Sequence, residues 1–75
     1  MNKIRRRELE QAKQILKDAK EIIESVYKEE EEAFDNLPEN LQDSSKGDTM
    51  EDNVFEMEDA IENIDEAIDH LENIE

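Results

Sequence analysis

The side chains with evident chemistry in this sequence are one imidazole and many carboxylates. His70 follows Glu66 by four residues, whereas a di-iron helix pair uses Glu-x-x-His and needs that motif twice. At heptad position c, His70 reads as a rim residue beside an apolar seam. Asp43-Ser-Ser-Lys-Gly-Asp48 superficially resembles a calcium loop, but it lacks alternating acids, carries Lys46 and has no Glu at the twelfth position. Acids recur at i, i+3 and i+4, yet an exposed helix face offers no desolvation to split their pKa values into acid and base roles. With no cysteine, one glycine and no nucleophile beside a base, the chain has neither thiolate chemistry nor a phosphate loop. A non-enzyme without metal or cofactor is expected.

The acids are unevenly distributed. The chain has 75 residues, 24 Asp or Glu, 9 Lys or Arg, and a net charge of −15. Residues 1–34 carry −1, residues 35–50 carry −3, and residues 51–75 carry −11 with no basic residue at all. Within the first segment Lys3, Arg5, Arg6 and Arg7 form a basic tip, and Glu29 to Glu32 form an acidic run. This balance repels nucleic acid and membrane surfaces as direct partners. No apolar run reaches the roughly 18 residues of a membrane span, and Met-Asn-Lys-Ile-Arg-Arg-Arg has no apolar segment behind it to act as a secretory signal.

Such charge suits a disordered tail, but the apolar spacing argues for helices. Met50, Val54, Met57, Ile61, Ile64, Ile68 and Leu71 recur at alternating steps of four and three, an unbroken heptad seam. Leu9, Ala12, Leu16, Ala19, Ile23 and Val26 do the same, with Ala33 continuing the seam after Glu30 interrupts it. The expected fold is all-α: an antiparallel, coiled-coil-like two-helix hairpin in a single domain. It has a helix over 3–34, a linker over 35–48 and a helix over 49–74. Asp48 with Glu51 reads as a capping box for the second helix, with Gly47 just ahead of it. Pro38 ends the first helix, and Pro38 to Gln42 can form one helical turn with Leu37 and Leu41 over the bundle end. The linker exceeds the usual two to eight residues.

The flanks of the two seams set the pairing. Heptad position e holds Arg6, Lys13, Lys20, Tyr27 and Phe34 on one helix and Glu51, Glu58, Asp65 and Glu72 on the other. An antiparallel hairpin brings e against e, so Lys20 should meet Asp65 and Lys13 should meet Glu72. Arg5 to Arg7 should offset Glu72, Glu75 and the negative end of the second helix. Exposed pairs contribute only ~0–1 kcal/mol each, so they fix register while the apolar seam supplies stability. Ile15 and Ile22, with Ala60, Ala67 and Ile74 on the other helix, widen the apolar face on one side. Tyr27, Phe34 and Phe55 also lie off the narrow seam. This second stripe is expected to be an oligomer interface that makes a homodimeric four-helix bundle.

The acidic helix carries about one carboxylate per ~3.4 Å, close to the phosphate spacing of one DNA strand. Glu51, Asp52, Glu56, Asp59, Glu62, Glu66, Asp69 and Glu72 should face outward and contact a basic partner. Solubility alone tolerates mixed signs, and the absence of Lys and Arg from Met50 onward points beyond it.

The segment Phe34-Asp-Asn-Leu-Pro-Glu-Asn-Leu-Gln42, followed by Ala60-Ile-Glu-Asn-Ile and Ala67-Ile-Asp-His-Leu, resembles small acidic helical proteins of phages and mobile elements of Gram-positive bacteria. The resemblance covers most of the chain, its specific part is the linker, and it supplies no activity. It implies a bacterial cytoplasm and an accessory factor that binds a basic host protein, such as a nuclease or another nucleic-acid-binding protein. The leading expectation is therefore inhibition by charge mimicry of nucleic acid. The rival is an assembly module acting through its apolar stripes, with the acids as solvent coat. A third class is a chain that folds only on its partner.

Overall fold

A computed structural model describes all 75 residues. Helix α1 spans Lys3–Asp35, the short α2 spans Glu39–Gln42 and α3 spans Ser45–Glu72. Helices α1 and α3 pack antiparallel into a rod of 58 × 15 × 13 Å. Its radius of gyration is 17.2 Å. A compact chain of this length would measure roughly 11 Å.

Helix α1 begins at Asn2, whose Oδ1 accepts from the Arg5 amide at 2.8 Å. It ends at Asn36, just ahead of Pro38, as the proline requires. The expected turn after Pro38 is α2, nucleated by the Pro38 carbonyl, which accepts from the Leu41 amide at 2.8 Å and the Gln42 amide at 3.2 Å. Gln42 then turns its Nε2 back onto the carbonyls of Phe34 at 3.4 Å and Leu37 at 3.3 Å. The Phe34 carbonyl, which also accepts from the Leu37 amide at 3.1 Å, and the Leu37 carbonyl just past α1 thereby gain a side-chain donor.

The start of α3 differs from the expected one. Ser44, rather than Asp48, is the N-cap: its hydroxyl oxygen accepts from the Gly47 amide at 3.3 Å and its O–H donates to the Leu41 carbonyl. Gly47 lies inside the first turn and is buried, and Asp48 is an ordinary first-turn acid at the positive helix end. A Cβ on Gly47 would stand 2.1 Å from the Gln42 carbonyl oxygen and 2.7 Å from that of Leu41. The glycine is thus a point of close approach that lets α2 lie on α3, and α3 gains a turn from what looked like linker. At the other end α3 stops at Glu72, with the Asn73 amide donating to the Asp69 and Leu71 carbonyls, so Ile74 falls outside the helix.

Burial on α3 follows the expected seam: Val54 and Ile68 are buried, and Met50, Met57, Ile61, Ile64 and Leu71 are half-buried. On α1 the line shifts. Leu9, Ala12, Leu16, Ala19 and Ile23 are half-buried as expected, but Val26 and Ala33 are exposed, and Tyr27, Glu30 and Phe34 take their place. A straight helix drifts about 20° per heptad against a 3.5-residue repeat. Over the 25 residues from Leu9 to Phe34 the drift reaches roughly 70°, most of one 100° residue step. The contact line therefore passes from position d to position e.

Candidate functional site

Three surfaces flank this narrow core. The first is the e side, where the helices are cross-linked by polar contacts. Lys20 Nζ meets Asp65 Oδ1 at 2.6 Å, the expected pair. Two turns along, the Tyr27 hydroxyl donates to Glu58 Oε1 at 2.7 Å and lies 3.1 Å from Glu31 Oε2. The expected Lys13–Glu72 pair does not form. Lys13 bonds Glu10 of its own helix at 2.8 Å, a partner within reach one turn away, and Lys17 approaches Glu72 at 3.9 Å instead. At the open end Arg6 Nη2 donates to the Glu75 main-chain oxygen at 2.7 Å, while Lys3, Arg5 and Arg7 have no carboxylate within 4 Å.

These contacts move proton affinities in the directions their geometry demands. The Glu58 carboxylate, then burial, then Glu31 push the Tyr27 phenol well above its ordinary range. The hydrogen bond to Asp65 raises Lys20, and that to Glu10 raises Lys13, each opposed by burial. Glu10 is lowered by the Lys13 ammonium.

The second surface is the back of α3. Glu51, Asp52, Glu56, Asp59, Glu62, Glu66, Asp69 and Glu72 are all exposed. Apart from Glu72, none of the eight has a cation within 4 Å. At 100° per residue the seven unpaired acids occupy an arc of roughly 140° directed away from α1. Phe55, 53% exposed, lies in the middle of that arc, which places it on the acidic face and not on the second apolar stripe. Its position nine residues before Ile64 could have indicated this, because their helical directions differ by roughly 180°. Beside the acidic face a groove of about 350 Å³ is lined by Glu24, Tyr27, Lys28, Glu58, Asp59, Ile61 and Glu62. Four carboxylates face one lysine there. His70 is exposed, and no group of three or more His, Asp or Glu side chains converges in a geometry able to hold a metal ion.

The third surface is the g side. Ile15 and Ile22 are 61% and 67% exposed, and Ala60 and Ala67 are half-buried on α3. Ile74 is exposed past the helix end, in a concavity shared with Met1, Leu9 and Leu71. Ile4, at 68%, and the displaced Val26, at 48%, extend the stripe along α1. None of the cross-helix ion pairs lies on this side. No known protein family, curated protein or solved structure matches the chain.

Proposed function

We propose that this chain is a non-enzymatic binding protein whose α3 back face docks on the basic surface of a nucleic-acid-binding host protein and occupies it in place of nucleic acid. One observation carries the reading: seven exposed carboxylates without a cation share a single face of a 28-residue helix. Across its whole circumference α3 has eleven acids along about 42 Å, or one per ~3.8 Å, against one phosphate per ~3.4 Å on a DNA strand. Complementary charge of this kind steers encounter and selects basic partners. Phe55 adds an apolar anchor within the charged field, and the groove beside Tyr27 suits an inserted Lys or Arg. In this reading the hairpin acts as a homodimeric four-helix bundle in the cytoplasm of a bacterial host, as an accessory factor of a phage or mobile element.

The test uses a purified basic DNA-binding protein holding a fluorescent duplex, with displacement of the duplex as readout. Displacement should weaken steeply between 50 and 300 mM salt, and reversing Glu62, Glu66 and Asp69 to Lys should abolish it. The assembly reading is favoured by a different observation, the exposed Ile15 and Ile22. If partner binding survives salt and charge reversal but is lost in Ile15→Asp or Ile22→Asp, the assembly reading replaces mimicry.

A further inference from the structure

The hairpin by itself is short of a core. Its only buried apolar side chains are Val54 and Ile68, while Ile4, Ile15, Ile22 and Val26 stand exposed along one side of α1. A chain of this size seldom gains more than ~3–5 kcal/mol from its own core. A covering surface for the stripe would add to it.

The charge pattern of α1 identifies that surface. Lys3, Arg5 and Arg7 have no carboxylate partner, and Glu29 to Glu32 have no cation. The two clusters lie at opposite ends of one continuous helix. Two copies of α1 aligned in parallel would set basic on basic and acidic on acidic. Helix α3 has no basic residue after Lys46, so it offers Glu29 to Glu32 little compensation. An antiparallel partner α1 satisfies both ends at once.

We propose that the occupant of this face is a second copy of the chain, docked through an antiparallel α1–α1 contact whose two-fold axis passes between Asp18 and Ala19. This rests on the dimeric reading above and specifies its geometry. In that register paired residue numbers sum to 37. Ile15 meets Ile22 of the second copy, Ile4 meets Ala33, and Gln11 meets Val26, each pair occurring twice as an isologous interface requires. Arg5 and Arg7 fall beside Glu30 and Glu32 of the second copy. Two kinds of like-charge contact oppose the arrangement: Glu8 with Glu29, which occurs twice, and Asp18 with Asp18 of the second copy across the axis. They are outnumbered by the Arg5–Glu30 and Arg7–Glu32 contacts, each of which occurs twice. The acidic backs of the two α3 helices remain on the outside, clear of the contact.

The chain has no cysteine, so engineered thiols can report the register. Ile15→Cys and Ile22→Cys chains, mixed and mildly oxidised, should give the mixed disulfide dimer. Each alone should give no more than a Phe55→Cys control, because like positions lie seven residues, or about 10 Å, apart along the axis. That exceeds the ~7 Å Cα separation a disulfide spans. Efficient cross-linking of Ile15→Cys with itself overturns the proposal in favour of another register or a parallel pair. Sedimentation of the wild-type chain separates the remaining outcomes. A dimer without the mixed disulfide overturns this geometry and leaves the dimer standing, whereas a monomer at high micromolar concentration overturns both. The charge element has its own arm. Arg5→Glu with Arg7→Glu should weaken dimerisation roughly tenfold. Adding Glu30→Lys and Glu32→Lys to the same chain should restore it, and failure to do so removes the charge argument for antiparallel pairing.

Discussion

Tyr27 and Gly47 show how single residues act here through their neighbours. The Tyr27 phenol and the Lys20 ammonium both have their proton affinity raised by a carboxylate on the facing helix. A group with a raised folded pKa contributes its stability fully below its unfolded value and loses it as pH rises through the folded one. Stability should therefore hold up to about pH 10 and decline above it, given ordinary values of 10.0 for the phenol and 10.5 for the amine. In Tyr27→Phe the decline between pH 10 and 12 should be shallower, as measured by melting temperature. Gly47→Ala sets two effects against each other. Alanine favours a helix by about 1 kcal/mol, but its Cβ meets a carbonyl oxygen that cannot rotate away. Overpacking costs typically ~1–3 kcal/mol, so denaturant melts should show a net loss. Phe55→Ala makes the opposite kind of prediction. On the solvent side it should leave melting unchanged while weakening capture of a basic partner by about tenfold or more.

At the scale of elements, α3 starts a turn earlier than the Asp48 capping box implies, because Ser44 takes the N-cap position. Spacing favoured Asp48 with Glu51, but the choice depends on α2, which places the Leu41 carbonyl within reach of the Ser44 hydroxyl. Ser44→Ala should therefore destabilise by ~1 kcal/mol. Asp48→Ala should cost only a few tenths of a kcal/mol, its remaining interaction being with the helix dipole. Chemical denaturation of the two variants distinguishes these sites. The shift on α1 from Val26 and Ala33 to Tyr27 and Phe34 has the same character. The heptad pattern is legible, but the sequence does not state how far two paired helices supercoil, and on α1 the contact line moves across one residue step.

For the whole molecule, the −15 charge acts on folding and binding with opposite sign. Self-repulsion opposes the folded rod and any pairing of rods, whereas the same field attracts a basic surface. Raising salt from 50 to 300 mM should raise the melting temperature by several degrees and weaken partner binding over the same range. Lowering pH toward the isoelectric point near 4.2 should also strengthen self-association in sedimentation. A protein whose acids served only as solvent coat would show the first effect of salt without the second.

The sequence by itself determined two helices, their antiparallel order, the α3 seam and the Lys20–Asp65 register. Each of these follows from local periodicity or from the sign of charges at fixed helical positions. It also determined that the acids of the α3 back face would be exposed, since seven residues off one seam have nowhere else to point. Only the tertiary structure decided that Lys17 takes the position beside Glu72 expected of Lys13 and that Ser44 caps α3. It likewise decided that Tyr27 and Phe34 enter the contact while Val26 joins the exposed stripe. These outcomes depend on differences of one helical turn or one residue step, which propensity and pattern leave nearly equal. The final geometry of helix against helix selects among them, because a hydrogen bond or a packed side chain tolerates less displacement than the repeat itself defines.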